Sequence, residues 1–472
     1  MQKLKKIGWK VWLVIWLAGM AGQLAWNIEN QWFNTFVYAK IAPLPSIITW
    51  MVAISACVST FATFLMGTIS DRVGKRRQFI LLGYIMWGGI HDYIRSTQFS
   101  VGTLGVTGAA ILVVVADAVM SFFGSTGNDS AFNAWTTDIS TPSNRGNIGS
   151  ALAIQPVIAT ILGTVVFGAI LGMFENLIVA GQSLDYFMLF LIVGIVVIII
   201  GVVSFFLSKE SPTLIPSRDE KISKQLAKPF NFKLMKNNRL LPYVLLIFAI
   251  FFIFFNIYFS HILNYFLYGS AKEVTEWLST SIFGNSSSNS ELVAGALFAV
   301  GLCLGIPFVI MSGRLFLNKL KFTPVLFISV GLNAIGLLIM FFGGLVGLKE
   351  GAALAYILIG IFFIGVGYMA IYQALMVWIK SLYPENMRSQ FEGVRMIFNV
   401  CIPMFLGSLI GNVIVEHMGI EITLSYPSGN VTGWAPSYWI FFIAFFVEIL
   451  TFIPVILAEK EIKKNPPIYQ ED

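Results

Sequence analysis

Residues 67–77 read Gly-Thr-Ile-Ser-Asp-Arg-Val-Gly-Lys-Arg-Arg and lie between two long apolar runs, 46–66 and 78–94. The glycines allow the chain to reverse tightly between the two runs. The basic cluster at the end of the stretch favours the cytoplasmic side of a membrane. Its aspartate, Asp71, can bind a cation or the N-terminus of a neighbouring helix. The stretch therefore predicts a short cytoplasmic loop between two membrane-spanning helices.

The composition of the chain is that of an integral membrane protein. Hydrophobic residues make up 57% of the sequence and charged residues 11%, whereas a soluble domain carries about 25% charged residues. The net charge of +6 is accounted for by contact with anionic lipid, and no feature suggests nucleic acid. The predicted partners are thus the lipid bilayer and a small solute.

Twelve apolar runs are long enough to span a bilayer, which needs roughly 20 residues per helix. These runs lie near 9–37, 44–68, 78–99, 103–137, 146–174, 185–208, 239–269, 291–312, 323–346, 351–381, 389–415 and 436–458. The first run has no small-residue cleavage site after it, so it is predicted to be a retained helix and not a signal peptide.

The distribution of basic residues predicts the topology. With the N-terminus inside, only Lys40, Arg95, Lys272 and Lys349 of the 30 Lys and Arg residues fall outside the predicted cytoplasmic segments. Such a bias indicates that both termini are cytoplasmic.

The chain divides into two similar halves. A polar, Lys-rich segment at 209–238 separates six predicted helices from the other six. The same spacing separates Trp135 from Arg145 in one cytoplasmic loop and Trp378 from Arg388 in another, with a proline between them in both loops. This indicates a duplication. We therefore predict an all-α membrane protein with two six-helix pseudo-repeats: a bundle at 1–208, a linker at 209–238, and a second bundle with a short cytoplasmic tail at 239–472.

The pattern G-x-x-x-D-R-x-G-K-R-R of residues 67–77 resembles, at every defining position, the loop between helices 2 and 3 of the major facilitator superfamily. The general resemblance covers the whole chain. It implies a transporter that works by alternating access, with two parallel six-helix repeats around a central cavity.

The resemblance also implies a cytoplasmic gate. Asp71 would dock on the helix that begins near Arg388, and Arg72 or Arg76 would pair with Asp138. Glu385 would pair with a basic group of the second half. The alternative is that these charges only satisfy helix ends. The residues of the predicted gate are Gly67, Asp71, Arg72, Gly74, Arg76, Asp138, Arg145, Glu385 and Arg388.

Three further segments resemble the glycoside–pentoside–hexuronide:cation symporters and the related sucrose transporters. They are Gly22-Gln-Leu-Ala-Trp26, residues 66–80, and the stretch 128–135, which reads Asn-Asp-Ser-Ala-Phe-Asn-Ala-Trp. The motif typical of drug/proton exporters is missing from the fifth helix, and the hexose facilitators' Gln-Gln-Leu-Ser-Gly motif is missing from the seventh. The resemblance therefore implies sugar import, and export is an alternative that the missing exporter motif weakens.

One departure from that branch concerns the coupling ion. Sodium-coupled members of the branch carry two carboxylates on helix 2, at positions that are Thr63 and Ser59 here. A sodium site is built from several oxygens that include carboxylate, and hydroxyls alone supply less charge. Proton coupling or uniport is therefore favoured over sodium coupling.

The first helix carries a stripe of amides. At about 100° per residue the stripe covers one face, and it has Trp26 and Trp32 nearby. Amides bind sugar hydroxyls and aromatic rings stack on sugar faces, so we predict substrate contact. The alternative is hydrogen bonding between helices. The amides are Gln23, Asn27, Asn30, Gln31 and Asn34.

Ionisable residues inside membrane helices are functional candidates. Asp117 and Asp129 on the fourth helix are the strongest candidates for coupling or substrate binding, and Asn128 lies on the same face as Asp117. Glu29 lies off the amide stripe and is either a coupling group or a structural partner. Weaker candidates for lining the cavity are Gln155, Asn256, His261, Tyr372 and Gln373.

Enzyme chemistry is not indicated. The cysteines Cys57, Cys303 and Cys401 are widely separated and form no metal-ligand spacing. We predict neither a metal nor a cofactor. The sequence indicates a monomeric secondary transporter, in a bacterial plasma membrane, that imports a glycoside or oligosaccharide with protons. The alternatives are a lysolipid or amphiphile transporter and a non-transporting sensor on the same fold.

Overall fold

The structure is a computed structural model. It describes residues 8–140, 145–179, 181–211, 214, 216, 239–284, 289–315, 321–382 and 394–465. Statements about the structure concern these residues.

Eleven helical segments of the described chain are long and apolar enough to cross a membrane. One of them, Arg76–Asp138, has 63 residues and contains two helices joined by a 3₁₀ turn at Arg95–Ser100, which makes twelve. In chain order the helices are α1 (Trp9–Lys40), α2 (Pro45–Val73), α3 (Arg76–Ile94), α4 (101–138), α5 (Arg145–Phe174), α6 (Asp185–Leu207), α7 (Leu240–Leu267), α8 (Ser290–Leu315), α9 (Phe322–Val346), α10 (Glu350–Ser381), α11 (Val394–Met418) and α12 (Trp439–Lys464). The predicted twelve-helix architecture is confirmed.

Three of these helices contain π-helical stretches. The stretches lie at Ile28–Trp32 in α1, at Ser125–Phe132 in α4 and at Ile397–Cys401 in α11. A wider turn shifts the faces of the residues that follow it, and such turns are frequent at functional sites. The simple 3.6-residue period used to predict the amide stripe therefore does not hold through the middle of α1.

The described residues form two compact units. The first consists of Met1–Ala42, Ile54–Ala227 and Leu424–Val431. The second consists of Pro43–Ala53, Lys228–Thr423 and Thr432–Asp472. Most of the predicted linker lies outside the described residues, so the domain boundaries at 208 and 239 stay a prediction.

Within the first unit, α3 and α6 approach each other through glycines. A Cβ atom on Gly88 would collide with the carbonyl oxygen of Gly194. A Cβ atom on Gly194 would lie 2.7 Å from the carbonyl oxygen of Gly88. Small residues at such crossings let backbones pack closely in lipid, where no hydrophobic force drives helices together.

Besides the predicted helices, the structure contains short antiparallel β-hairpins. One pairs β1 (Ile178–Val179) with β2 (Gln182–Ser183). The other pairs β3 (Ile420–Tyr426) with β4 (Gly429–Ala435). A separate helix, Lys272–Phe283, lies between α7 and α8 in the chain.

Candidate functional site

A group of buried acidic side chains lies between α1, α2 and α4 in the first unit. Glu29 and Asp117 are 7% and 2% exposed. The Ser121 hydroxyl donates a hydrogen bond of 2.6 Å to Glu29 Oε1, and Ser55 is hydrogen-bonded to the Asp117 carboxyl. Asp117 and Asp129 both interact electrostatically with Glu29. The structure thus brings together the three acids that the sequence singled out, and we call this group the carboxyl cluster.

The Asp129 end of the cluster also contains serines. Ser125 donates to Asp129 Oδ2 at 2.9 Å, and the Asn128 amide donates to Asp129 Oδ1 at 3.2 Å. Ser125 and Ser59 share a hydrogen bond between their hydroxyls. Each carboxyl of the cluster therefore contacts a hydroxyl side chain.

Helical spacing explains why these groups meet. Ser55 and Ser59 are four residues apart on α2, and Asp117, Ser121 and Ser125 repeat at the same interval on α4. Residues at this interval share one face of a helix. The two faces meet, as the bonds from Ser55 and Ser59 show.

Glu29 and Asp117 have no compensating cation among the described residues. One oxygen of Glu29 and one of Asp117 have no hydrogen-bond partner among the described residues. Within the same residues neither side chain forms an ion pair. Buried carboxylates that face each other without a cation cannot all stay ionised at low free energy. The arrangement is chemically suited to taking up and releasing protons.

The amides of α1 hold several different positions. Asn30 and Asn34 donate to backbone carbonyls one turn earlier, those of Trp26 and Asn30, at 2.8 and 3.0 Å. Asn27 lies against Gly163 of α5. Gln31 is buried and Gln23 is half-buried. The structure leaves the predicted substrate contact of these amides untested, although it shows three of them contacting protein.

Two candidates, Gln155 and Asn128, are hydrogen-bonded to residues of neighbouring helices. Gln155 Nε2 donates to the Ile15 carbonyl at 2.9 Å. The Tyr84 hydroxyl lies 2.7 Å from the Ala18 carbonyl and 3.2 Å from Asn128 Oδ1. These bonds join α1 to α3 and α5, and α3 to α4, so Gln155 and Asn128 have structural contacts whatever their role toward a substrate.

The candidates of the second unit lie on α7 and α10. His261 is fully buried, and neither of its ring nitrogens has a partner among the described residues. Asn256 Nδ2 donates to the Phe252 carbonyl at 2.7 Å. Tyr372 packs with its ring centroid 6.0 Å from that of Phe252, and Gln373 is half-buried.

The loop between α2 and α3 contains a charge network. Arg76 Nη2 donates to Asp71 Oδ1 at 2.5 Å, and Arg76 Nε donates to Asp138 Oδ2 at 2.9 Å. Arg76 also donates to the Ser70 hydroxyl. Of the two arginines proposed to pair with Asp138, the structure therefore shows Arg76 in that pairing.

The other members of the predicted gate are described in part. Gly74 adopts a positive φ of 67°, and a Cβ there would lie 2.7 Å from Pro216, so glycine suits this turn. Gly67 is near the Ser130 hydroxyl, and Arg72 is half-buried. The side chain of Arg145, and Glu385 and Arg388, lie outside what the structure describes.

Glu210, a residue that the sequence did not single out, also bonds to residues at the start of α3. The carboxylate of Glu210 accepts hydrogen bonds from the backbone N–H groups of Arg76 and Arg77, at 3.0 and 2.9 Å. It thereby satisfies donors at the start of α3 and complements the helix dipole. No sequence signal connects Glu210, at the beginning of the predicted linker, with residues far earlier in the chain.

A second charged group lies near the β1–β2 hairpin. Lys40 Nζ is 2.7 Å from Asp185 Oδ1 and 2.7 Å from the Ser183 hydroxyl. Burial and the neighbouring Asp185 carboxylate raise the pKa of Glu175, and Lys40 opposes that rise. Lys40 is one of the four basic residues that fall outside the predicted cytoplasmic segments, and it forms a structural ion pair with Asp185.

Sequence reasoning missed Ser55 and Ser125, and it considered Ser59 only in the argument against sodium coupling. The available signal was the four-residue spacing of Ser55 and Ser59 on a helix otherwise rich in apolar residues.

Across the described residues, no group of three or more His, Cys, Asp and Glu side chains is arranged to hold a metal ion.

The apolar helices, with polar groups buried between them, define a polytopic membrane protein. The sequence matches the Major Facilitator Superfamily over residues 11–408. The chain belongs to this superfamily, and it is an integral membrane transporter and not an enzyme.

Solved structures share the fold at low sequence identity. A D-xylose–proton symporter superposes with a TM-score of 0.65 at 14% identity, covering 94% of this chain and 97% of its own. A mutant of the nucleoside transporter NupG gives 0.63 at 11% identity, covering 94% and 99%. A bacterial homologue of the human lysosomal transporter Spinster, inward-facing, gives 0.61 at 14% identity, covering 97% and 98%. A search of curated protein sequences found no significant match.

Proposed function

We propose that this transporter imports a small polar solute, a glycoside or oligosaccharide, together with protons. The observation that carries the proposal is the carboxyl cluster. It lies inside the membrane-spanning region, and Glu29 and Asp117 form no ion pair with any residue that the structure describes.

Proton exchange is the chemistry that this cluster supports best. Protonation removes the repulsion between Glu29 and Asp117 without any ligand cage. Hydroxyl side chains such as Ser121 can hydrogen-bond a carboxyl in either protonation state, because a hydroxyl both donates and accepts. A sodium ion would instead need several oxygens converging on one point. The xylose–proton symporter with the same fold is consistent with this preference.

The substrate class is inferred from the polar side chains of α1 and from the sequence resemblance to the glycoside–pentoside–hexuronide:cation symporter and sucrose transporter branch. The solved structure of a xylose transporter from E. coli has the same fold, which is compatible with sugar as cargo. The amides of α1, with Gln155 on α5 and Asn256 on α7, are proposed to face the solute in at least one state of the cycle.

The proposed setting is a bacterial plasma membrane with both termini in the cytoplasm. The asymmetric distribution of Lys and Arg supports this orientation. The proposed boundaries are a bundle at 1–208, a linker at 209–238 and a second bundle at 239–472, and the chain is proposed to act as a monomer.

Uptake into proteoliposomes tests the proposal. A panel of labelled glycosides is offered under an imposed proton gradient and, separately, under an imposed sodium gradient. Accumulation of one sugar with the proton gradient alone is the expected result.

Two other results would overturn parts of the proposal. Accumulation with sodium alone would contradict proton coupling. Uptake of no sugar under either gradient would contradict the substrate class and direct the search to lysolipids and other amphiphiles, or to a sensor without transport.

A further inference from the structure

A buried acid in the second unit has no part in the proposed mechanism so far. Glu448 lies in α12 and is 0% exposed. Neither of its carboxyl oxygens has a hydrogen-bond partner among the described residues, and the same is true of the Thr451 hydroxyl one turn later. An ionised carboxylate in such surroundings would be uncompensated, which costs several kcal/mol. The carboxyl is therefore expected to hold a proton in this conformation.

Glu448 is also placed at a break in its helix. The first part of α12 ends at Ile449 and the second begins at Phe452. Between them the Thr451 N–H donates to the Glu448 carbonyl at 2.8 Å, a shorter loop than an α-helical turn. Pro454 explains the break, because it has no N–H to donate to the Leu450 carbonyl and its ring crowds the preceding turn. Such a position can bend while the rest of α12 stays rigid.

The elements packed against α12 are α7, α9 and α11. On α7 the titratable groups are Tyr243, Tyr258, His261 and Tyr265, and Tyr258 interacts electrostatically with Glu448. The sequence of α9 contains no titratable residue. On α11 the titratable or charged groups are Arg395, Cys401, Glu416 and His417, the last two at the end of the helix. The second part of α12 carries Glu459, Lys460, Glu461, Lys463 and Lys464 toward its other end.

We propose that Glu448 is a second proton-binding group of the transporter, located in the second unit, and that its protonation is linked to bending of α12 at the Ile449–Phe452 break during transport. The inference rests on the proposed proton-coupled import. It extends that proposal by giving the second unit a proton site of its own.

Infrared spectroscopy of the purified full chain tests whether Glu448 holds a proton. The carbonyl stretching band of a protonated carboxylic acid is followed by difference spectra over a pH series, without any substrate. The expected result is that one component of this band, present in the wild type at neutral pH, is missing in Glu448→Gln, whereas components from the carboxyl cluster of the first unit remain. The matched control is Glu461→Gln on the same helix, because Glu461 lies near the charged end of α12 and its removal is expected to leave the band unchanged.

Transport by the same variants tests the link to the cycle. Glutamine resembles the protonated acid, so exchange of labelled for unlabelled sugar at equal pH on both sides should change by less than about twofold, whereas proton-driven accumulation should fall at least about tenfold. If Glu448→Gln fails to insert, Glu448→Asp keeps the acid and should shift the infrared band without removing it.

The results separate this inference from the proposed function. A band of undiminished intensity in folded Glu448→Gln, or accumulation equal to that of the wild type, overturns the inference. A wild type that shows no proton-driven accumulation overturns the proposed function and the link to transport. In that case loss of one component of the band in Glu448→Gln still identifies Glu448 as a proton-binding group.

Discussion

At the scale of single residues, the proposed coupling depends on Glu29 and Asp117, which are hydrogen-bonded by hydroxyls, and on Asp129. Asp129 is bonded by Ser125 and Asn128, so an amide in its place could still accept from Ser125 but could not exchange a proton. The replacement thereby separates hydrogen bonding from proton transfer at one site.

We expect Asp129→Asn to abolish accumulation of sugar under a proton gradient and to leave exchange at equal pH largely intact. Both are measured in proteoliposomes. Glu421→Gln, on the exposed strand β3, is the control. Unchanged accumulation in Asp129→Asn would clear Asp129 of a coupling role.

Asp71 and Arg76 allow gating to be distinguished from folding. The Asp71 side chain is 49% exposed, and an ion pair with so exposed a partner contributes only about 0–1 kcal/mol to stability. Asp71→Asn should therefore keep the midpoint of thermal unfolding while lowering the initial rate of uptake several-fold. Lys75→Ala, an exposed neighbour in the same loop, should change neither quantity. Wild-type rates in Asp71→Asn would remove the gate hypothesis.

At the scale of helices, the contact between α3 and α6 can be tested with adjacent glycines. A methyl group on Gly88 meets the Gly194 backbone, whereas one on Gly89 meets nothing within 4 Å. Gly88→Ala should destabilise the protein by about 1–3 kcal/mol through overpacking. Gly89→Ala should be neutral or slightly stabilising, by at most about 1 kcal/mol, because alanine favours the helix. Thermal unfolding in detergent measures both, and equal midpoints would contradict the close approach of α3 and α6.

The start of α3 provides a second test at this scale. Glu210→Ala removes the acceptor of the Arg76 and Arg77 N–H groups and should destabilise this helix end by about 1–2 kcal/mol. Hydrogen exchange of these two amides should become faster. Lys209→Ala is the matched control, because the Lys209 backbone carbonyl accepts a hydrogen bond from Trp135 Nε1 and the substitution leaves that carbonyl in place. Equal protection in Glu210→Ala would show that the cap has no effect.

Helix number follows from the sequence because a bilayer demands long apolar runs, and that demand is local. The internal form of the helices does not follow. The π-helical stretch at Ile28–Trp32 depends on packing against other helices, which no single stretch of sequence specifies. The apolar run at 78–99 was likewise predicted to be one helix, whereas α3 ends at Ile94 and a 3₁₀ turn follows.

At the scale of the whole molecule, the sequence predicted the superfamily through one eleven-residue loop, and the match over residues 11–408 confirms it. It also identified Glu29, Asp117 and Asp129, because acids inside apolar runs stand out. It could not identify Ser55 as a partner of Asp117, since serine is common in membrane helices. Nor could it identify Glu210 as the acceptor at the start of α3, since contacts between distant segments leave no local pattern. Glu448 was missed although the same rule about acids in apolar runs would have found it.

Proton coupling through the first unit is tested most directly by following protons and sugar together. Proteoliposomes without any imposed gradient receive a transported sugar, and the pH of a weakly buffered outer medium is recorded. Proton-coupled import predicts that the medium becomes alkaline as sugar enters, and that Glu29→Gln and Asp129→Asn each remove this change. Entry of sugar without any change in pH would contradict the proposed coupling.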